Sequence, residues 1–446
     1  MHRHFFRTKY RDMLLQFLFV LLAIIIGARL QGIGLGVMGG LGLAILVFGF
    51  GLEPTSPPID VMLMIVAVIA AAGCMQAAGG LDLMVAIAEK LLRKHPQRIT
   101  ILSPMVTYLF TFVAGTGHVA YSVLPVIAEV ARETNIRPEH PLSIAVIASQ
   151  QAITASPISA ATVALLSMLA GYNISLLNIL MISMPATLVG VLLGAFVSMR
   201  VGKELDEDTE YTERLKSGMF DEGKSERKVG YSIKSSAVLS VLIFVLATIL
   251  IILFGSFEEL RELGDKTLNM PIVIEILMLS AAGLILITTK TNGIKAAQGS
   301  VFVAGMQAVV AIFGIAWMGD TFINGNMDQL RSSIEEIVTT MPWVFGVALF
   351  VMSILLYSQA ATVRALMPLG IALGISPWML IALFPTVNGY FFLPNYPTVV
   401  AAINFDRTGT THIGKWVLNH SFMLPGLVAT IGAVCTGLLI ITLMGF

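Results

Sequence analysis

This sequence predicts an all-α polytopic membrane protein built from two inverted-topology repeats, each with about five crossings plus a re-entrant hairpin and a proline-broken helix. Three observations predict it. The chain is 56% hydrophobic and 12% charged with a mean hydropathy of +0.86, whereas soluble domains sit near 45–50% apolar and about 25% charged. Apolar runs of bilayer length, about 17–25 residues, recur from Leu14 to Phe446. The runs are interrupted in the same order in both halves of the chain.

The first twelve residues are polar and basic, with Arg3, Arg7, Lys9 and Arg11. A first span follows from about Met13 to Ala28, closed by Arg29, and it is too long and followed by too many others to be a cleaved signal peptide. The second span, Ile33 to Phe50, carries Gly32, Gly36 and Gly40 at four-residue spacing, which predicts close helix approach in lipid. A third runs from Asp60 to Ala78. Gly79-Gly80 breaks it, and Leu81 to Arg93 then reads as an amphipathic interfacial helix, with Leu83, Ile87 and Leu91 on one side.

From Ile99 to Val130 the chain is apolar except at Gly115-Thr116-Gly117-His118, which splits the run into two half-length arms. Non-helical backbone at membrane depth survives only when buried in protein or lining a wet cavity, so this tip is expected to face substrate or ion. Between Ile144 and Ala170 the interruption is Ala155-Ser156-Pro157-Ile158-Ser159, where the proline removes a donor and disfavours helix at Ser156. Ser175 to Met199 is an ordinary span. Arg200 to Lys234, with eight basic and nine acidic side chains, reads as a solvated cytoplasmic linker.

The second half repeats the order. Spans are expected at Ser235 to Phe254, Met270 to Thr289 and Val301 to Ile323; a hairpin from Trp343 to Leu373 breaks at Ser358-Gln359-Ala360-Ala361; a second broken helix, Trp378 to Ile403, breaks at Leu393 to Pro397; and the last span is Phe422 to Met444. GTGHVAYSVLP from Gly115 and SQAATVRALMP from Ser358 align without a gap. Paired interruptions of this kind point to a transporter's midplane binding site. The expected organisation is therefore an N-terminal extension (1–12), a first membrane repeat (13–199), a linker (200–234) and a second repeat (235–446). An odd number of crossings per half inverts the second. With the N-terminus outside, nineteen Lys and Arg side chains fall on the cytoplasmic side and seven on the other, so the positive-inside rule favours that orientation.

The candidate site follows from these breaks. Arg364 is a permanent cation in a membrane-length apolar run, where it costs about 2.5–3.5 kcal/mol at mid-bilayer on the most lenient scale, so it needs an anion: the expectation is that its planar fork clamps one end of a transported anion while the tip at Gly115 to His118 holds the other, the alternative being an arginine that snorkels to the surface or pairs with an acid of the protein. The second arm of each hairpin starts with free N–H groups, a general anion site. Gly115, Gly117, Ala360 and Ala361 let an anion reach that backbone, while Thr116, Ser358, Gln359 and Thr362 add hydroxyl or amide donors. His118 is either a proton carrier or a tip histidine bonded to backbone. Ser156 and Asn395 either complete the pocket or satisfy carbonyls freed by Pro157 and Pro397; Asn388 and Thr398 are further pocket candidates. Asp320 and Glu275 are proton-coupling candidates or interfacial caps, and Asp60 and Asp82 read as helix N-terminal or interfacial residues.

Other function classes lack their chemistry. No HExxH, CxxC or GxxxxGK[ST] pattern occurs, Cys74 and Cys435 sit inside apolar runs, and no metal or cofactor is implied. Net charge of zero and the absence of a basic aromatic patch argue against nucleic acid. An intramembrane enzyme would need a paired acid–base or metal constellation that is not seen. Citrate or another organic anion, or cation/proton antiport, stays open as an alternative cargo.

The motifs AGTGH, ITASPISAAT, LLYSQAATVRALMP, LPNYPTVVAA and FDRTGTTHIGK resemble the anaerobic C4-dicarboxylate transporters of the Dcu family, most closely its DcuA type, from about Met13 to the C-terminus. The basic residues before Met13 depart from that pattern, as they would if translation started at Met13. The resemblance implies a carrier of fumarate, succinate, malate and aspartate in the bacterial inner membrane during anaerobic respiration, working by antiport or proton-coupled uptake with alternating access. It also implies a scaffold with a moving transport domain, as in the wider ion-transporter superfamily, and as partners the lipid bilayer, a second copy of the chain and a sensor kinase. The sodium-coupled branch of that superfamily carries Ser-Asn-Thr at its tips, which these tips do not.

Overall fold

The structure, a computed structural model, describes residues 2–446 except 31, 58, 209–210, 214–233, 265, 328, 330–340, 357, 395 and 417, and describes backbone alone at 2–10, 28, 61, 118, 170 and 355. The described residues are mostly helical, with one two-stranded hairpin pairing Glu262–Leu263 with Lys266–Thr267. Its first third holds α1 (His2–Leu30), α2 (Gly34–Ala44, extended by a π-helical turn to Gly49), α3 (Ile59–Ala77), α4 (Gly80–Lys94), α5 (Ile99–Ala114) and α6 (Ala120–Glu133). There follow α7 (Glu139–Gln151), α8 (Ala160–Leu169) and α9 (Leu176–Ser198). The second half holds α10 (Ser235–Ser256), α11 (Met270–Thr289), the short α12 (Gly293–Gln298), α13 (Ser300–Gly325), α14 (Trp343–Leu356), α15 (Gln359–Ala372), α16 (Pro377–Leu383), α17 (Pro397–Phe405) and α18 (Met423–Leu443). Five helices among the described residues, α9, α10, α11, α13 and α18, are each long and apolar enough to span a bilayer. The bend of 69° between α3 and α4 turns the amphipathic helix off its span, as its charge pattern requires.

Local chemistry explains the helix starts. Ser175 and Asn178 form a reciprocal capping box at α9, and Asn269, Ser358 and Ser376 each accept a backbone N–H in the first turn of α11, α15 and α16. It also explains the interruptions. α5 ends where Gly115 adopts φ +70°, a left-handed position that favours glycine. α7 passes through a 3-10 turn at Ala152–Thr154 and stops before Pro157.

Two packing groups result. In one, α1 lies along α2, α2 along α13, α3 along α11 and α13, and α10 along α11. In the other, α5 packs on α7, α14 on the 3-10 stretch Phe384–Phe391, and α9 on α18. α2 and α13 approach so closely that a Cβ on Gly36 would lie 2.0 Å from the Val310 carbonyl oxygen, and one on Gly39 would lie 2.4 Å from the Gly314 carbonyl carbon. The seam therefore uses Gly36 and Gly39. The four-residue spacing predicted Gly32 and Gly40 as well, but Gly32 is a turn residue at φ +52° and Gly40 faces open space, because the contact follows a three-residue ridge.

Three further expectations are corrected. The first broken helix begins at Glu139 rather than Ile144, and the second interruption is wider than Leu393 to Pro397, since tight 3-10 geometry starts at Phe384. The polar segment after Arg200 is not solvated throughout. Residues 200–208 fold back on the start of α7, where buried Arg137 donates to Glu139 at 2.6 Å and to Asp208, and His140 meets the Val201 carbonyl at 2.6 Å. A desolvated guanidinium needs such partners, and their charges hold Arg137 in its protonated form against the opposing effect of burial. The basic N-terminal residues continue the backbone helix of α1.

Candidate functional site

Between the two packing groups lies a cavity of about 1170 Å³. Its floor is made by both predicted tips: Gly115, Thr116 and Gly117 from one, Ser358, Gln359 and Ala360 from the other. Ile158, Ala160 and Ala161 at the start of α8, and Tyr396 and Pro397 at the start of α17, complete it. The beginnings of α6, α8, α15 and α17 thus converge on one space. Its walls are apolar residues of α3 and α13, such as Ile65, Ile69, Ala308 and Ile312, and its rim carries the exposed polar groups Arg29, Gln307 and Asn404.

The tips are held by a buried carboxamide cluster. Gln359 Nε2 donates to Gln150 Oε1 at 2.8 Å and to Asn388 Oδ1 at 3.2 Å. Asn388 Nδ2 donates to Gln151 Oε1 and to the Pro385 carbonyl, both at 3.2 Å, and Gln151 Nε2 donates to Thr430 Oγ1 at 3.1 Å. Gly117 sits against Gln150, where a Cβ would lie 2.5 Å from Nε2. One glutamine therefore touches both tips.

Other predicted residues are placed around this centre. Ser358 lines the cavity, and its Oγ caps α15 by accepting from the Ala361 N–H at 3.2 Å. Ala361 and Thr362 are fully buried behind the tip, with the Thr362 hydroxyl donated to the Ser358 carbonyl at 2.8 Å. Ser156 is fully buried outside the lining and donates to the Phe112 carbonyl at 2.7 Å, the carbonyl-satisfying role. Thr398 is buried in the first turn of α17, with its Oγ1 unbonded. The side chain of His118 and all of Asn395 lie outside the described residues.

Arg364 is not brought to the cavity. It lies about one turn beyond Ala360 on α15, where Ala365 meets Gly319 of α13: a Cβ on that glycine would be 3.6 Å from the alanine Cβ. The charges acting on it are Asp320, the neighbour of Gly319, and then Asp60 at the start of α3. Its Nε is buried without a hydrogen bond. Glu275 on α11 lies next in this charge chain, coupled to Asp60. The two acids predicted as proton-coupling candidates thus act in one chain of charges with Arg364 and exposed Asp60, outside the lining of the cavity.

Sequence reading missed Gln150, Gln151 and Tyr396. The signal for the glutamines was present: two adjacent amides in an apolar run, six and seven residues before Pro157, are costly in a membrane unless they bond one another or a ligand.

The arrangement can hold a small anion with charge at both ends, since N–H-bearing helix starts reach it from both halves. Residues 12–445 match the family described as anaerobic C4-dicarboxylate membrane transporter, DcuA and DcuB. The chain is 45% identical over 428 residues to the C4-dicarboxylate transporter DcuA of Escherichia coli K12, covering 95% of this chain and 98% of that protein. It is 44% identical over 427 residues to DcuA of Wolinella succinogenes, with 95% and 98% covered, and 41% identical over 441 residues to the anaerobic C4-dicarboxylate transporter DcuB of E. coli O157:H7, with 97% and 99% covered. Among solved structures, the Alcanivorax borkumensis YdaH transporter aligns with a TM-score of 0.56 at 14% identity over 96% of this chain and 98% of that one, a likeness of fold alone. By sequence along nearly its whole length, the chain belongs to the family of anaerobic C4-dicarboxylate membrane transporters.

Proposed function

We infer that the protein is a secondary carrier of C4-dicarboxylates, such as fumarate, succinate, malate and aspartate, across the bacterial inner membrane, by exchange or proton-coupled uptake with alternating access. The observation that carries the reading is the cavity where four helix starts meet, two from each half of the chain. Each start contributes about 0.3–1 kcal/mol toward an anion at an exposed site and up to about 2 kcal/mol when partly buried. A cavity of about 1170 Å³ exceeds the about 300–1,000 Å³ of a closed ligand pocket. It is a vestibule open at its rim. With the N-terminus outside, Arg29 and this rim face the cytoplasm, and the conformation is inward-facing.

Two inverted repeats account for the packing. α2 with α13 and α3 with α11 are the same pair with the halves exchanged, as are α6 with α17 and α8 with α15. In this reading α5–α6 and α14–α15 are re-entrant hairpins, the group containing α2, α3, α11 and α13 is the scaffold, and the hairpins with the broken helices form the moving transport domain. One carboxylate sits at the tip that begins at Gly115 and the other at Ser358 to Ala360. The chain of charges formed by Arg364, Asp320, Asp60 and Glu275 is the place for proton coupling. A second copy of the chain and a sensor kinase are partners carried over from the resemblance.

The test is counterflow in proteoliposomes. Vesicles loaded with succinate take up labelled fumarate or aspartate, and the uptake is measured at two pH values with and without sodium. Equal uptake into vesicles loaded with buffer and with succinate refutes exchange; the pH and sodium arms identify the coupling ion.

A further inference from the structure

We propose that Gln359 sets the carrier's preference for C4-dicarboxylates bearing a hydrogen-bond donor at C2, an ammonium or a hydroxyl, by presenting its side-chain carbonyl oxygen to the cavity. The inference rests on the transport reading above and deepens it to one side-chain atom.

The orientation of the amide follows from hydrogen-bond chemistry, starting at a group that has only one role. The Pro385 carbonyl can only accept, so the atom of Asn388 that lies 3.2 Å from it is Nδ2. The same nitrogen lies 3.4 Å from Thr154 Oγ1, where one of its two hydrogens can be shared, and an acceptor there is consistent because the Thr154 hydrogen is already given to the Gln151 backbone carbonyl at 2.8 Å. Asn388 therefore turns Oδ1 toward Gln359, and only Nε2 can face it. The second hydrogen of that nitrogen goes to Gln150 Oε1. Both donors of Gln359 are committed to the protein interior.

Its Oε1 is left. Gln359 lines the cavity, and among the described residues Oε1 has no hydrogen bond, yet it is not a sealed atom. A carbonyl oxygen repels a carboxylate and attracts N–H or O–H, and unlike the Thr116 and Ser358 hydroxyls at the tips it cannot turn to donate, so beside helix starts that favour anions it is placed to read a donor between the two carboxylates. Aspartate and malate carry such a donor. Succinate and fumarate do not. Where a site is built to hydrogen-bond a substrate group, the analogue lacking it leaves the buried partner unpaired, and discrimination is large. Asn388 is the positioning residue: it touches no substrate and holds the amide the right way round.

The experiment measures kcat/KM for labelled aspartate and succinate in proteoliposomes of the wild-type protein, Gln359→Met and Asn388→Leu. The expected result is a fall of the aspartate-to-succinate ratio by about tenfold or more in Gln359→Met, the size of one hydrogen bond to a charged group. Asn388→Leu, which frees the amide to turn, lowers the ratio by about threefold or more. A merely structural role lowers both substrates together and leaves the ratio alone. A ratio within about twofold of wild type in Gln359→Met overturns the inference; if that variant does not insert, an unchanged ratio in Asn388→Leu overturns it instead. Absence of any exchange by the wild-type protein overturns the transport reading, and this inference with it.

Discussion

Gly117→Ala tests whether the two tips are one mechanical unit. The added Cβ would stand 2.5 Å from Gln150 Nε2, 3.0 Å from its Cδ and 3.2 Å from its Oε1, while ordinary contact begins at 3.4 Å, so the amide or the tip has to shift by about 0.9 Å. Gln150 is held in place by its 2.8 Å bond from Gln359, which such a shift would stretch or break. A buried hydrogen bond contributes about 0.5–1.5 kcal/mol, and overpacking a tight interior costs about 1–3 kcal/mol, so the expected loss is about 1.5–4.5 kcal/mol. Exchange falls with it, because Gln359 at the opposite tip loses its anchor. Gly171→Ala is the control: nothing lies within 4 Å of its Cβ position. Both variants are compared by denaturation in mixed micelles and by succinate–fumarate counterflow. If Gly117→Ala keeps wild-type exchange and melts with the control, Gln150 does not couple the tips.

The remaining predictions concern the charges around Arg364, the scaffold seam and the loop before α18. Arg364→Ala removes the cation whose charge acts on half-buried Asp320 and exposed Asp60, an expected loss of about 1 kcal/mol; Asp320→Asn in the same background restores much of it, and strictly additive effects in the double-mutant cycle would exclude the coupling. Gly36→Ala forces α2 from α13 against backbone atoms and is expected to cost about 1–3 kcal/mol or more, whereas Gly40→Ala, four residues on, gains up to about 1 kcal/mol of helix propensity; thermal denaturation of the two separates packing from composition. His420 accepts the Phe422 N–H at Nδ1 and meets the Phe392 carbonyl at Nε2, and burial lowers its pKa below the ordinary histidine value, with the Phe392 bond opposing. Since the unfolded chain takes up the proton first, this contribution is complete above about pH 6.5 and is lost as pH falls from there through the lower pKa of the folded state. His420→Asn should flatten the decline of stability between neutral and mildly acid pH, as read by denaturation at each pH.

What could be read from the sequence was whatever depends on one segment and its solvent. The spans, the bent amphipathic helix, Gly115 as a helix end and the interruption at Pro157 are such features, because bilayer length, charge pattern and local backbone sterics act over a turn or two. The tips were also legible, since polar and glycine residues inside apolar runs need a wet or buried setting. Arg364 shows the limit. That it needed an anion followed from its charge, but which anion depended on what stands beside α15, and in the folded chain Asp320 and Asp60 come from helices far away in sequence. Gly36 and Gly39 show it again, for a spacing names candidates while the partner's ridges select the pair. The carboxamide cluster was beyond reach for the same reason: Gln150, Gln359 and Asn388 lie on three segments, and the direction of each amide is decided by a chain of hydrogen bonds that ends on one backbone carbonyl. Hydrophobicity and backbone geometry are properties of a stretch of chain, so the sequence alone determined class, spans and breaks. Pairing of charges and orientation of amides are properties of neighbours, and only the tertiary structure decided those.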